Sequence, residues 1–96
     1  KIYRVNNLRR EILELKGRGY WVTGLDVGGK EELSDRVYPE KLVVVLGSEG
    51  AGIRRLIKEE CDFLVSIPMK GKIDSLNVAV SAGIFLYELW RQKAGL

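Results

Sequence analysis

The sequence predicts an α/β domain built on a parallel sheet with helices on both faces. Three observations carry that prediction. Helical and strand spacings alternate in the order helix–strand–strand–helix–strand–helix. The run Leu42-Val43-Val44-Val45-Leu46 is apolar without a break, as expected of a strand covered on both faces in a parallel sheet. The last two strands then give way to turns, one rich in glycine and one marked by proline, each followed by helical spacing.

Taken in order, Leu8, Ile12 and Leu15 recur at i, i+4 and i+7 and predict a helix over about Leu8–Lys16. Asn6 or Asn7 can cap its start, and Gly17 and Gly19 end it. Tyr20-Trp21-Val22-Thr23-Gly24-Leu25-Asp26 is aromatic and β-branched, a buried strand. Gly28 to Glu40 is polar and punctuated, a loop with room for one helical turn. Lys41–Leu46 is the clearest strand. Ile53, Leu56 and Ile57 mark a short helix, Phe63–Ile67 a strand stopped by Pro68, and Leu76–Lys93 a long helix apolar on most of its circumference. Only three strands are visible, so further strands are expected before Lys1, and an opening residue other than methionine suggests a fragment.

Length and composition narrow the function. Ninety-six residues make one domain able to bury roughly two-thirds of its unfolded surface. No apolar run approaches the ~20 residues of a membrane span. The chain has no histidine, which excludes Ser–His–Asp and Cys–His nucleophile pairs and zinc sites built on imidazole; no metal is expected. A lone Cys61 fits a reducing, cytoplasmic compartment. The net charge of +3 is a mild bias, and its basic groups read as solvated helix faces paired with neighbouring glutamates, with phosphate contact the minority reading.

Three segments are candidates for chemistry. Gly24, four residues, Gly29 and Lys30 begin a P-loop pattern, but Glu31 stands where Ser or Thr must hold magnesium, so this is a loop. Leu46-Gly47-Ser48-Glu49-Gly50-Ala51-Gly52 follows the strongest strand; its glycines serve either a tight turn or close approach of a ligand at the strand end. Ile67-Pro68-Met69-Lys70-Gly71 leads into Asp74-Ser75-Leu76-Asn77, a helix start that is either ordinary capping or an anion-favouring terminus.

Read together, Leu46-Gly47-Ser48-Glu49-Gly50, Cys61-Asp62, Ile67-Pro68-Met69 and Ser75-Leu76-Asn77-Val78 resemble the second and third motifs of the SpoU/TrmH family of RNA 2′-O-ribose methyltransferases, of the SPOUT superfamily. The Asn-Leu-Arg-Arg helix and Tyr20–Leu25 are similar to the family's middle segment. The subgroup most resembled is that of the ribosomal RNA (guanosine-2′-O) enzymes acting on 23S rRNA.

The resemblance implies an α/β knot, a deep trefoil at the C-terminal end, with S-adenosylmethionine bound in it. By motif, Leu46, Gly47, Ile67, Met69 and Leu76 would line the cofactor, while Glu49, Ser75 and Asn77 would be the catalytic-site polar residues. The terminal helix, apolar on more than one face and carrying Phe85, Tyr87 and Trp90, predicts a homodimer, an expectation raised by the resemblance. Across that interface Arg54 and Arg55 of one subunit would reach RNA bound at the other, with ribosomal RNA favoured and transfer RNA left open. The family's first motif, with its asparagine and arginine, is expected upstream of Lys1. The chain would then be the C-terminal, cofactor-binding part of a catalytic domain. The alternative is a non-catalytic RNA-binding or interaction module that keeps the fold.

Overall fold

The structure is a computed structural model and describes residues 7–26, 29–47, 53–68 and 78–96. Helix α1 spans Leu8–Gly17, strand β1 Trp21–Leu25, the short strand β2 Glu31–Glu32, β3 Leu42–Leu46, helix α2 Arg55–Lys58, β4 Phe63–Ser66 and α3 Val78–Ala94. The four strands form one sheet in the order β2-β4-β1-β3, and every pairing is parallel.

Of the two candidate caps, Asn7 does the work: its side chain accepts from the Arg10 N–H. At the other end the Gly19 N–H returns to the Lys16 carbonyl and the Tyr20 N–H to that of Leu15, the Schellman arrangement that closes a helix. Of the predicted stripe, Ile12 is the buried member and Leu8 lies exposed. One turn later the chain enters β1 through a two-point clasp. The Asp62 N–H donates to the Val22 carbonyl, and the Asp62 carboxylate accepts from the Val22 N–H at 2.8 Å.

Strand alternation sends two sets of side chains to opposite sides. Val22, Val43 and Val45 pack with Ile12, Ile53 and Ile57 beneath α1 and α2. Leu25, Val65, Leu42, Val44, Leu46 and Ile67 pack with Leu33, Tyr38, Ile84, Phe85 and Leu89 beneath α3. Helices therefore cover both faces, as the sequence predicts. Thr23, central in β1 and fully buried, has a hydroxyl with no partner among the described residues.

One expectation is corrected. The polar stretch after β1 holds a fourth strand, Glu31–Glu32, paired to Val65 and Ser66, before a 3₁₀ turn over Leu33–Asp35. Two glutamates make a strand here because backbone pairing with β4 outweighs their low β-propensity. Among the described strands β3 ends the row, with only Val45 of its residues buried, while β1 between β3 and β4 is the most buried strand. The predicted short helix α2 is a single turn; of its apolar markers Ile53 and Ile57 are buried and Leu56 is 54% exposed. The predicted start of α3 at Leu76 lies outside the described residues.

Candidate functional site

Parallel strands place all their carboxyl ends along one sheet edge. In register, Leu25 at the end of β1 lies between Leu46 of β3 and Val65 of β4. Leu46-Gly47 and Ser66-Ile67 therefore leave the sheet on either side of β1, about 10 Å apart at ladder spacing. Leu46 and Ile67 are both half-buried and belong to the apolar cluster under α3. Here is the edge at which open α/β sheets receive ligands. Glu49, Met69, Ser75, Leu76 and Asn77 lie outside the described residues.

The carbon wall of Leu46 and Ile67, with Gly47 offering a backbone lacking Cβ, fits a nucleoside that needs apolar sides and main-chain donors and acceptors. Such residues suit S-adenosylmethionine. The competing phosphate-loop pattern fails on geometry. Gly24 is inside β1, where a Cβ would meet the Leu64, Cys61 and Ile53 side chains at 2.8–3.0 Å. Gly29 crosses β4 so closely that a Cβ would sit 2.5 Å from the Val65 carbonyl carbon. Both glycines answer to packing.

Two buried polar groups carry no sequence motif, the first of them near this edge. Asp26 follows β1 directly, its side chain only 6% exposed and paired with Lys58 Nζ at 3.0 Å, which ties α2 to the sheet. The second is a polar cluster on α3. Glu88 is 7% exposed, and its carboxylate takes a forked pair of bonds from Arg91, Nε at 3.1 Å and Nη2 at 2.6 Å. Gln92 Nε2 donates to Glu88 at 2.7 Å and to the Arg36 carbonyl at 2.7 Å, while Gln92 Oε1 accepts from the Tyr38 N–H. The Arg91 bonds, opposed by burial and helped by Gln92, hold the Glu88 carboxyl below its ordinary pKa. Glu88 and Gln92 follow Phe85 at i+3 and i+7, so polar residues at core-facing spacing were the available signal.

The basic residues divide. Arg9 pairs with Glu60 at 3.0 Å, Lys16 with Glu60 and Asp62, and Arg18 with Glu14, as the solvated-face reading expects. Arg54 and Arg55 are exposed and make no ion pair with the described residues.

With the geometry in place, the comparisons decide the family. The model of the SpoU rRNA Methylase family matches residues 1–87. The chain belongs to the SpoU rRNA methylase family. It is 46% identical over 92 residues to a putative TrmH family tRNA/rRNA methyltransferase of Bacillus subtilis, covering 96% of this chain and 37% of that protein. It is 48% identical over 90 residues to the 23S rRNA (guanosine-2′-O-)-methyltransferase RlmB of Coxiella burnetii, covering 94% and 36%. The chain thus spans little more than a third of these relatives. Among SpoU structures, the A. aeolicus TrmH/SpoU tRNA modifying enzyme superposes with a TM-score of 0.82 at 34% identity, covering 95% of this chain and 48% of that one. The methyltransferase AviRb of Streptomyces viridochromogenes, in complex with the cofactor AdoMet, gives 0.84 at 30% identity, covering 95% and 36%.

Proposed function

We propose that this chain is the cofactor-binding part of an S-adenosylmethionine-dependent methyltransferase that modifies a ribose 2′-hydroxyl in RNA, with a 23S rRNA guanosine as target. The observation that carries the reading is the meeting of Leu46-Gly47 and Ile67 at one sheet edge in a chain of this family. The name of the Coxiella relative supports the ribosomal substrate. In this reading Leu46, Ile67, Met69 and Leu76 form apolar walls, and the main chain at Gly47 meets the adenosine. Bound S-adenosylmethionine supplies an activated methyl group. Glu49, Ser75 and Asn77 hold the ribose and orient groups around the weakly nucleophilic hydroxyl. The family resemblance supports a trefoil knot at the C-terminal end.

Arg54 and Arg55, unneutralised by described carboxylates, contact RNA phosphates. A second copy covers the exposed stripe Val80, Leu86, Tyr87 and Trp90 of α3. Phe85 leaves that proposed interface: it is 1% exposed and belongs to the core. No described helix is long and apolar enough to cross a membrane, and we place the protein in the cytoplasm with its RNA.

Calorimetric titration with S-adenosylhomocysteine tests the site. Wild type binds, and Leu76→Asp, which sets a charge in an apolar wall, weakens binding at least ~100-fold. Equal binding by both places the cofactor elsewhere. No binding by either favours the non-catalytic module. Labelled methyl transfer to ribosomal over transfer RNA tests the substrate.

A further inference from the structure

We infer that Gln92, braced by Glu88, is a positioning residue that sets where α3 lies against Leu46 and Ile67. The inference rests on the cofactor reading above.

Apolar packing holds a helix to a sheet without fixing its position along its own axis, because burial is non-directional. Ile84, Phe85 and Leu89 supply that packing and share one cluster with Leu46 and Ile67. Hydrogen bonds of fixed length supply the register. Gln92 spans two backbone groups of one segment, donating to the Arg36 carbonyl at 2.7 Å and accepting from the Tyr38 N–H at 3.3 Å. Its amide is itself oriented by Glu88, whose carboxylate is held on the other side by Arg91.

The segment that receives Gln92 is anchored in turn. The Arg36 side chain pairs with Glu31 of β2 and lies 4.1 Å over the Phe63 ring of β4. Tyr38 packs its ring on Phe85 and donates its hydroxyl to the Leu33 carbonyl at 2.6 Å. A polar fork on α3 thus ends on the two strands at one side of the sheet. Shifting α3 would move Ile84 and Leu89 relative to Leu46 and Ile67, and small misplacements of a binding wall are costly.

The test uses the full-length protein that carries this chain. Gln92→Met keeps the length of the side chain and makes none of its bonds; Gln92→Asn keeps the amide but is too short to reach both partners, and serves if the first variant folds poorly. Ile57→Val, in the opposite apolar cluster, is the control for lost stability. S-adenosylhomocysteine affinity is measured well below each variant's thermal midpoint. We expect about tenfold weaker binding for the Gln92 variant and an unchanged constant for Ile57→Val. A Gln92 variant that melts lower yet binds like wild type overturns the inference, because the fork is then only structural. A wild type that does not bind overturns the cofactor reading, and the inference with it.

Discussion

The two faces of the sheet are closed by different means. Beneath α1 and α2 the contacts are aliphatic and, apart from the buried Asp26 paired with Lys58, charge is kept to the rim, where Arg9 and Lys16 of α1 reach Glu60 and Asp62. Beneath α3 the contacts include the Tyr38–Phe85 aromatic pair, and Glu88 and Gln92 are drawn under the helix. Rim ion pairs of the first kind contribute about 0–1 kcal/mol each and tolerate loss. Buried, directional groups of the second kind cost more when one partner is removed, because the other is left unsatisfied. Leu46 and Ile67 belong to the α3 cluster. One face is a support, and the other joins support to the proposed site.

The largest expected effect tests that division. Phe85→Ala empties a site that is 1% exposed and should destabilise by about 3–5 kcal/mol. It should also weaken S-adenosylhomocysteine binding below the midpoint, since the cavity adjoins the cluster of Leu46 and Ile67. Ile12→Ala, equally buried on the other side, should cost about 2–5 kcal/mol and leave that affinity unchanged. Denaturant melts and calorimetry on both variants give the four numbers needed. Equal losses of affinity would erase the distinction between the faces.

Why one face was easier to read from sequence follows from the same contrast. Ile12, Val22, Val45 and Ile57 announce themselves by periodicity, which depends only on near neighbours in the chain. Tyr38 and Gln92 are 54 positions apart, and no local pattern reports their bond. Strand order is also non-local. The most apolar strand, β3, ends the described row of strands because the register of β1 with both β3 and β4 places β1 between them. Glu31 and Glu32 look like loop residues until β4 offers a backbone to pair with. Of the site reading, Leu46, Gly47 and Ile67 lie where motif and sheet edge coincide. That reading missed Glu88 and Gln92, whose work is done on another segment's backbone.

Acid should sharpen the contrast by a smaller amount. The Glu88 carboxyl lies below its ordinary value of 4.5 in the folded chain, chiefly through the Arg91 hydrogen bonds. A lowered folded value means the unfolded chain binds the proton more readily. The stabilisation is therefore complete above about pH 4.5 and lost as the pH falls through the folded value. Glu88→Gln should flatten this part of the stability–pH curve between pH 5 and 3, a window bracketing ordinary glutamate titration. Arg9→Ala, which breaks a rim pair on the other face, should leave its shape nearly unchanged. A curve for Glu88→Gln parallel to wild type would remove the carboxylate from the account of the α3 face.

The smallest effect is a rate, and it reports on the α1–α2 face alone. The Cys61 thiol is pushed up to about 11, mainly by burial and then by the Asp62 charge, and its Sγ donates to the Ile57 carbonyl. Because the folded value is raised, the neutral thiol favours the folded state below about pH 9, and that contribution is lost as the pH rises through 11. The thiolate is the nucleophile, so iodoacetamide at pH 8 should modify Cys61 about a hundredfold more slowly than a free cysteine. Modification then reports local opening. Ile12→Ala should raise the rate more than Phe85→Ala does at matched global stability, because Ile12 and Cys61 pack in the same cluster. If both variants raise it equally, the sheet transmits disturbance from one side to the other, and the two faces open as a single cooperative unit.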